Sequence, residues 1–188
     1  KLYTEDTVLP AGDLRENSSG AKRSQVILVT KCPEELSETE QFEIAKKLKP
    51  ELNQTLFFTT IAYDDKVRSA SGTIPLSDLR NYEVLLVTGI AKTKPLTQFL
   101  AQQEIKFEHL RFPDHHNFTV ADIQDIRKQF DRMQTKKKIV LTTEKDYVRL
   151  YPKLNENIYF LPIETAFIAN EKDFNKLILD YVRKNTRN

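Results

Sequence analysis

Ile139-Val140-Leu141-Thr142-Thr143-Glu144-Lys145-Asp146-Tyr147-Val148-Arg149-Leu150 is the stretch that decides the fold. Its first three residues form a short apolar, β-branched run, which reads as a buried strand. A helix over Glu144–Leu150 follows at once. Thr143 stands at its N-cap, and Asp146 at the third helical position completes the cap. Similar apolar runs occur at Val26-Ile27-Leu28-Val29, Leu56-Phe57-Phe58, Val84-Leu85-Leu86-Val87 and Ile158-Tyr159-Phe160-Leu161, with a weaker alternating run from Ile105 to Phe112.

Helical patterns lie between several of these runs. Ser37-Glu38-Thr39-Glu40 is a capping box, and Phe42, Ala45 and Leu48 follow on one face. Pro95 opens a short helix that carries Leu96, Phe99 and Leu100. Thr119 with Asp122 caps a helix striped with Val120, Ile123, Ile126, Phe130 and Met133. Asn170 with Asp173 starts the last helix; its stripe of Phe174, Leu177, Ile178, Tyr181 and Val182 reads as core rather than membrane-facing. Strands alternating with helices predict an α/β fold with a largely parallel sheet and flanking helices. The polar stretch from Tyr63 to Arg80, broken by Pro75, reads as a linker or hinge. That predicts three segments: 1–62, the linker 63–80, and an α/β lobe over 81–188.

Composition narrows the function. A chain of 188 residues suits one domain or two small lobes, and a formal net charge of +2 gives no bulk drive toward nucleic acid. The single cysteine, Cys32, excludes an intrachain disulfide and a cysteine-based zinc site, and it fits a reducing cytoplasmic setting. No apolar run approaches the ~18 residues of a membrane span, and no signal peptide is present. The glycines are Gly12, Gly20, Gly72 and Gly89. Their spacing excludes both G-x-G-x-x-G and G-x-x-x-x-G-K-[ST], so no standard phosphate-cradling loop is present. Lys1 opens a polar stretch without an initiator Met, which predicts a fragment or processed chain.

Unusual polar segments fall at the expected carboxyl ends of strands, where α/β sheets bind ligands. These are Thr30-Lys31, Thr88-Gly89, Asp114-His115-His116 and Thr142-Thr143-Glu144-Lys145-Asp146. A parallel sheet would gather all four on one edge. A His beside an Asp is held in one tautomer and can act on a proton or a phosphate oxygen. The same triplet also reads as a plain strand-to-helix turn. Lys136-Lys137-Lys138 reads as a solvated turn. Leu9-Pro10-Ala11-Gly12-Asp13-Leu14-Arg15-Glu16 forces a turn that presents Arg15 and Glu16, a pair suited to gripping an anion or simply to pairing with each other.

Taken in order, these segments resemble the C-terminal half of the tetraacyldisaccharide 4'-kinase family. The resembling residues are Leu9 to Glu16, Val29-Thr30-Lys31, Thr88-Gly89-Ile90-Ala91, Phe112-Pro113-Asp114-His115-His116 and Thr142 to Asp146. The resemblance implies the end of a P-loop NTPase-type, Rossmann-like nucleotide-binding core over 1–62, followed by a smaller α/β lobe. It implies ATP and Mg2+ as cofactors and a tetraacyldisaccharide 1-phosphate lipid as substrate. It also implies peripheral contact with the cytoplasmic side of the inner membrane. His115, oriented by Asp114, would carry the catalytic role, and no metal ligand lies in this chain. Arg15, Glu16, Thr143, Lys145 and Asp146 would form the substrate and nucleotide cleft. The family's phosphate loop and catalytic base fall before Lys1, so the chain alone should be inactive. Here Lys92-Thr93-Lys94 separates Ala91 from Pro95, where many members reach the proline sooner; His116 falls where relatives vary. Two other readings remain at this point. One is a non-catalytic Rossmann-like binding module. The other is a metal phosphoesterase built on Asp114-His115-His116, with Asp64-Asp65 as the only further donor pair.

Overall fold

The computed structural model describes residues 1–154 and 157–186. It divides into two compact units. One comprises Lys1–Ala62 with the segment from Thr165 onward; the other is Tyr63–Glu164.

In the first unit, strand β1 (Val26–Cys32) leads to helix α1 (Glu38–Leu48) and strand β2 (Thr55–Tyr63). β1 and β2 pair in parallel, and β2 also joins β9 (Ile163–Phe167), giving the order β1-β2-β9. The expected Ser37–Glu40 capping box forms in full at the start of α1. The final helix α5 (Glu171–Asn185) begins differently from expectation: Asn170 adopts a left-handed φ of 61° and offers no side-chain cap. Its backbone oxygen accepts from Asp173 and Phe174 instead. Phe174 packs edge-on against Phe57, whereas Ile178, Tyr181 and Val182 remain exposed. The stripe read as core is therefore only half-buried, at Phe174 and Leu177, and otherwise exposed.

The second unit holds the larger sheet. Strands β3 (Lys66–Ser69), β4 (Gly72–Pro75), β5 (Glu83–Thr88), β6 (Phe107–Arg111), β7 (Lys138–Thr143) and β8 (Ile158–Leu161) lie in the order β4-β3-β8-β7-β5-β6. β6, β5, β7 and β8 run parallel, while β3 is antiparallel to both β8 and β4. Helices α2 (Lys94–Gln102), α3 (Val120–Arg132) and α4 (Glu144–Leu154) supply the crossovers.

Strand alternation splits the core between the two faces of this sheet. Val84, Leu86, Ile139 and Leu141 face Leu96 and Leu100 of α2. Leu85, Val87 and Val140 face Ile123 and Ile126 of α3 and Leu150 of α4. Almost every residue of β5 and β7 is buried, which explains their unbroken apolar runs.

The linker expected over 63–80 is part of this sheet. It forms the β3–β4 hairpin and a 3-10 helix over Leu76–Asn81. Val67, Leu76 and Leu79 are buried in the same cluster as Leu86 and Leu141. The stretch looked like a linker because an edge hairpin turns every second residue to water, and Pro75 is tolerated at the end of an edge strand. The expected lobe 81–188 is likewise revised, since its last segment, with α5, belongs to the first unit. Lys138 explains part of the lysine run: its Nζ donates to the carbonyls of Phe130 and Met133 and closes the end of α3. Among the described residues, no helix is long and apolar enough to cross a membrane.

Candidate active site

The winding of the second sheet creates a crevice. From β5 the chain crosses by α2 to β6 on one side. It then returns by α3 to β7 on the other side of β5, and continues by α4 to β8. Connections thus leave β5 and β7 in opposite directions, and the carboxyl ends of such a strand pair form the ligand-binding crevice of open α/β sheets. Thr88-Gly89 ends β5, and Thr142-Thr143 ends β7. The loop after β6 joins them: Phe112 donates its amide to the Thr88 carbonyl at 2.7 Å, and His115 donates its amide to the Gly89 carbonyl at 3.2 Å. Three of the four polar segments expected on one edge therefore meet. The fourth, Thr30-Lys31, belongs to β1 in the other sheet.

Asp114, His115 and Lys145 come together at this crevice. Lys145 Nζ donates to Asp114 Oδ1 at 3.2 Å and lies 3.4 Å from His115 Nε2. His115 Nε2 lies 3.7 Å from Asp114 Oδ2. The His115 side chain is 72% exposed, so it is open to a ligand. Its backbone is left-handed, with φ 59°. For a residue other than glycine that conformation costs on the order of 1–3 kcal/mol and persists only where surrounding contacts enforce it. Burial opposes ionisation of Asp114. The hydrogen bond from Lys145 and the charges of His115 and Lys145 outweigh it, holding the carboxyl below its usual range.

Thr143 and Asp146 sit beneath this group. Thr143 Oγ1 accepts from the Asp146 amide at 3.2 Å and donates to Asp146 Oδ2 at 2.9 Å. The expected cap is thus present. Asp146 is also fully buried, and the same Oδ2 accepts the Gly89 amide at 2.8 Å. Arg15 and Glu16 lie in the first unit. The turn before them depends on Gly12, where a Cβ would fall 2.5 Å from the Thr7 carbonyl oxygen. Glu16 pairs with Arg23 at 2.9 Å rather than with Arg15. Arg15 is exposed.

His116 has a structural partner. Its Nε2 lies 2.9 Å from Asp122 Oδ2, and its ring stacks on Phe112. Asp122 completes the Thr119 capping box of α3. The backbone amide of Thr119, the His116 ring and the Thr119 hydroxyl together pull its carboxyl down to about 2.

The phosphoesterase reading loses its donor pair, because Asp64 is committed to Arg68 and to the Lys66 amide. Among the described residues, no group of three or more His, Cys, Asp or Glu side chains is placed to hold a metal ion.

Several contributors escaped the sequence reading. Arg149 and Lys153 follow the expected Lys145 at four-residue steps on one face of α4, and all three reach the loop after β6. Arg149 donates to the His116 carbonyl, and Lys153 donates to the Phe118 carbonyl. Their i, i+4, i+8 spacing was the available signal. Tyr147 accepts the Ala70 amide at 2.9 Å and so ties α4 to the β3–β4 turn. His109 on β6 hydrogen-bonds Thr88 Oγ1 at 2.9 Å.

A mostly parallel α/β sheet with flanking helices, and with His115, Asp114 and Lys145 gathered at its switch point, places the chain among Rossmann-like α/β folds. The comparisons are more specific: the chain belongs to the tetraacyldisaccharide-1-P 4'-kinase family, which matches residues 1–183. The tetraacyldisaccharide 4'-kinase of Flavobacterium psychrophilum is 44% identical over 190 residues, covering 100% of this chain and 53% of that protein. That of Bacteroides thetaiotaomicron is 39% identical over 205 residues, covering 100% and 54%. The chain spans about half the length of these curated relatives. The fold matches a crystal structure of LpxK from Aquifex aeolicus in complex with ATP, with a TM-score of 0.61 at 22% identity. That match covers 94% of this chain and 48% of the other.

Proposed function

We propose that the protein containing this chain transfers the γ-phosphate of ATP to the 4'-hydroxyl of a tetraacyldisaccharide 1-phosphate, and that this chain supplies the His115 side of the site. The observation that carries the reading is the convergence of Asp114, His115 and Lys145 at the switch-point crevice in a member of this kinase family. Phosphoryl transfer depends on positioning and charge neutralisation more than on covalent chemistry by the protein. His115 is accessible and lies within reach of Asp114, so it can hydrogen-bond the transferred group. Lys145 brings a cation that can exchange Asp114 for an anionic oxygen. Thr143 and Asp146 hold the floor beneath them; Arg15, exposed in the first unit, and Glu16 beside it are proposed as substrate and nucleotide contacts.

The four glycines form no phosphate-cradling loop, so the residues that cradle ATP and hold Mg2+ belong to sequence outside this chain. Mg2+, when bound in such kinases, bridges phosphate oxygens and neutralises their charge. The acylated substrate implies peripheral contact with the cytoplasmic side of the inner membrane.

The test is transfer of labelled phosphate from ATP to the disaccharide lipid by the full-length protein. We expect transfer by the wild type and a loss of about tenfold or more in kcat for His115→Ala. The 188-residue chain alone should transfer none. A full-length protein without transfer, or a His115→Ala variant with wild-type kinetics, would refute the reading.

A further inference from the structure

We propose that Asp146 is a positioning residue for His115 and acts through the Gly89 backbone. The proposal rests on the reading of His115 given above, but its geometry stands apart from any turnover. Asp146 Oδ2 accepts the Gly89 amide at 2.8 Å. The Gly89 carbonyl in turn accepts the His115 amide at 3.2 Å. One residue, Gly89, is therefore held at its amide by a buried carboxylate, and its carbonyl holds the amide of the left-handed residue that presents the imidazole.

Helix capping alone does not account for this arrangement. The reciprocal bonds between Thr143 and Asp146 already cap α4 and require nothing of Gly89. An ordinary capping carboxylate also faces water, whereas Asp146 is fully buried and its Oδ1 has no hydrogen-bond partner among the described residues. A buried oxygen without a partner is costly, and such costs persist where surrounding structure holds a functional geometry.

The carboxylate also approaches position 89 closely enough to crowd a side chain there. A Cβ there would fall 3.2 Å from Asp146 Oδ1, and 3.5 Å from both Phe118 Cζ and the Pro113 carbonyl oxygen. Phe118 and Pro113 flank the Asp114-His115-His116 segment and would only be touched by an added methyl, so the displacement would fall on the carboxylate. Asp146 touches neither the imidazole nor any reacting atom. Its influence passes through two backbone hydrogen bonds.

The experiment is amide hydrogen exchange by mass spectrometry on the full-length protein. It compares the wild type with Asp146→Ala, Asp146→Asn and Gly89→Ala. The proposal expects exchange over residues 112–118 to rise about tenfold in Asp146→Ala, with β5 and β7 within about twofold of wild type. Asp146→Asn keeps an acceptor for the Gly89 amide and should fall between the two. Where Asp146→Ala does not fold, Gly89→Ala takes its place and should show the same selective rise.

Unchanged exchange at 112–118, or an equal rise across the whole second unit, overturns the proposal. In the kinase assay, Asp146→Ala should lower kcat about tenfold with little change in KM for ATP. Selective exchange in a protein that transfers no phosphate would leave this proposal standing and refute only the kinase reading.

Discussion

Asp122→Asn should remove a pH-dependent part of the stability of the second unit. Asp122 accepts from the Thr119 amide at 2.7 Å, from the Thr119 hydroxyl at 2.7 Å, and pairs with His116 at 2.9 Å. Its carboxyl lies at about 2 in the folded chain, against an ordinary value of 3.8. By linkage such a depression corresponds to about 2 kcal/mol. The side chain is 21% exposed, and water screens such pairs, so about 1–2 kcal/mol is the expected yield. Loss of a helix cap alone costs about 1 kcal/mol, which agrees. Because the folded carboxyl titrates below its unfolded value, the stabilisation is complete above about pH 4. It is lost as the pH falls through 4 toward 2. Urea midpoints for wild type and Asp122→Asn, at constant m, should therefore differ most at neutral pH and converge toward pH 2. In melting experiments the neutral-pH gap is about 4–8 °C per kcal/mol for a unit of this size. A gap of constant size from pH 7 to 2, or no gap at pH 7, would show that the capping network does not carry this energy.

Two further outcomes follow from neighbouring groups. Burial, and then the charge of Arg111, push the His109 imidazole below its usual value. Its stabilising contribution is thus present above about pH 6.5 and fades as the pH falls below that, and His109→Gln should flatten the urea-midpoint profile below about pH 6.5. Lys145→Met removes the hydrogen bond and charge that overcome the burial of Asp114, so the Asp114 carboxyl should titrate at higher pH by carbon NMR; an unmoved titration would mean that Lys145 does not control this carboxylate.

The elements legible in the sequence were those fixed by short-range chemistry. The capping boxes Ser37–Glu40 and Thr119–Asp122 span four residues each, and both form as read. Asp114 beside His115 was legible for the same reason. What stayed hidden was set by pairing between distant residues. Gly89 and Asp146 lie 57 positions apart, and nothing in either neighbourhood announces their bond. The β3–β4 hairpin and the 3-10 helix after it escaped because their buried residues, Val67, Leu76 and Leu79, are spaced among polar ones, and only the parallel strands beside them reveal which face is inside. The placement of α5 in the first unit escaped because the contact of Phe174 with Phe57 links the two ends of the chain.

If His115 meets a ligand as proposed, the loop after β6 has to satisfy two opposing demands. A residue that meets a ligand must be exposed, yet it must be held without the packing that burial provides. Here the loop is fixed through its backbone. Phe112 and His115 donate to carbonyls at the end of β5, while Arg149 and Lys153 of α4 take the carbonyls of His116 and Phe118. Side-chain contacts then lock the residues around His115 but leave its ring free: His116 stacks on Phe112, and Asp114 is held by Lys145. The anchors at Thr88 and Gly89 are buried and belong to the most deeply buried strand of the sheet. Positional order is therefore carried outward from the core by hydrogen bonds to main-chain atoms. It does not require the exposed imidazole to make apolar contacts of its own, so the identity of His115 is free to answer to chemistry and not to folding.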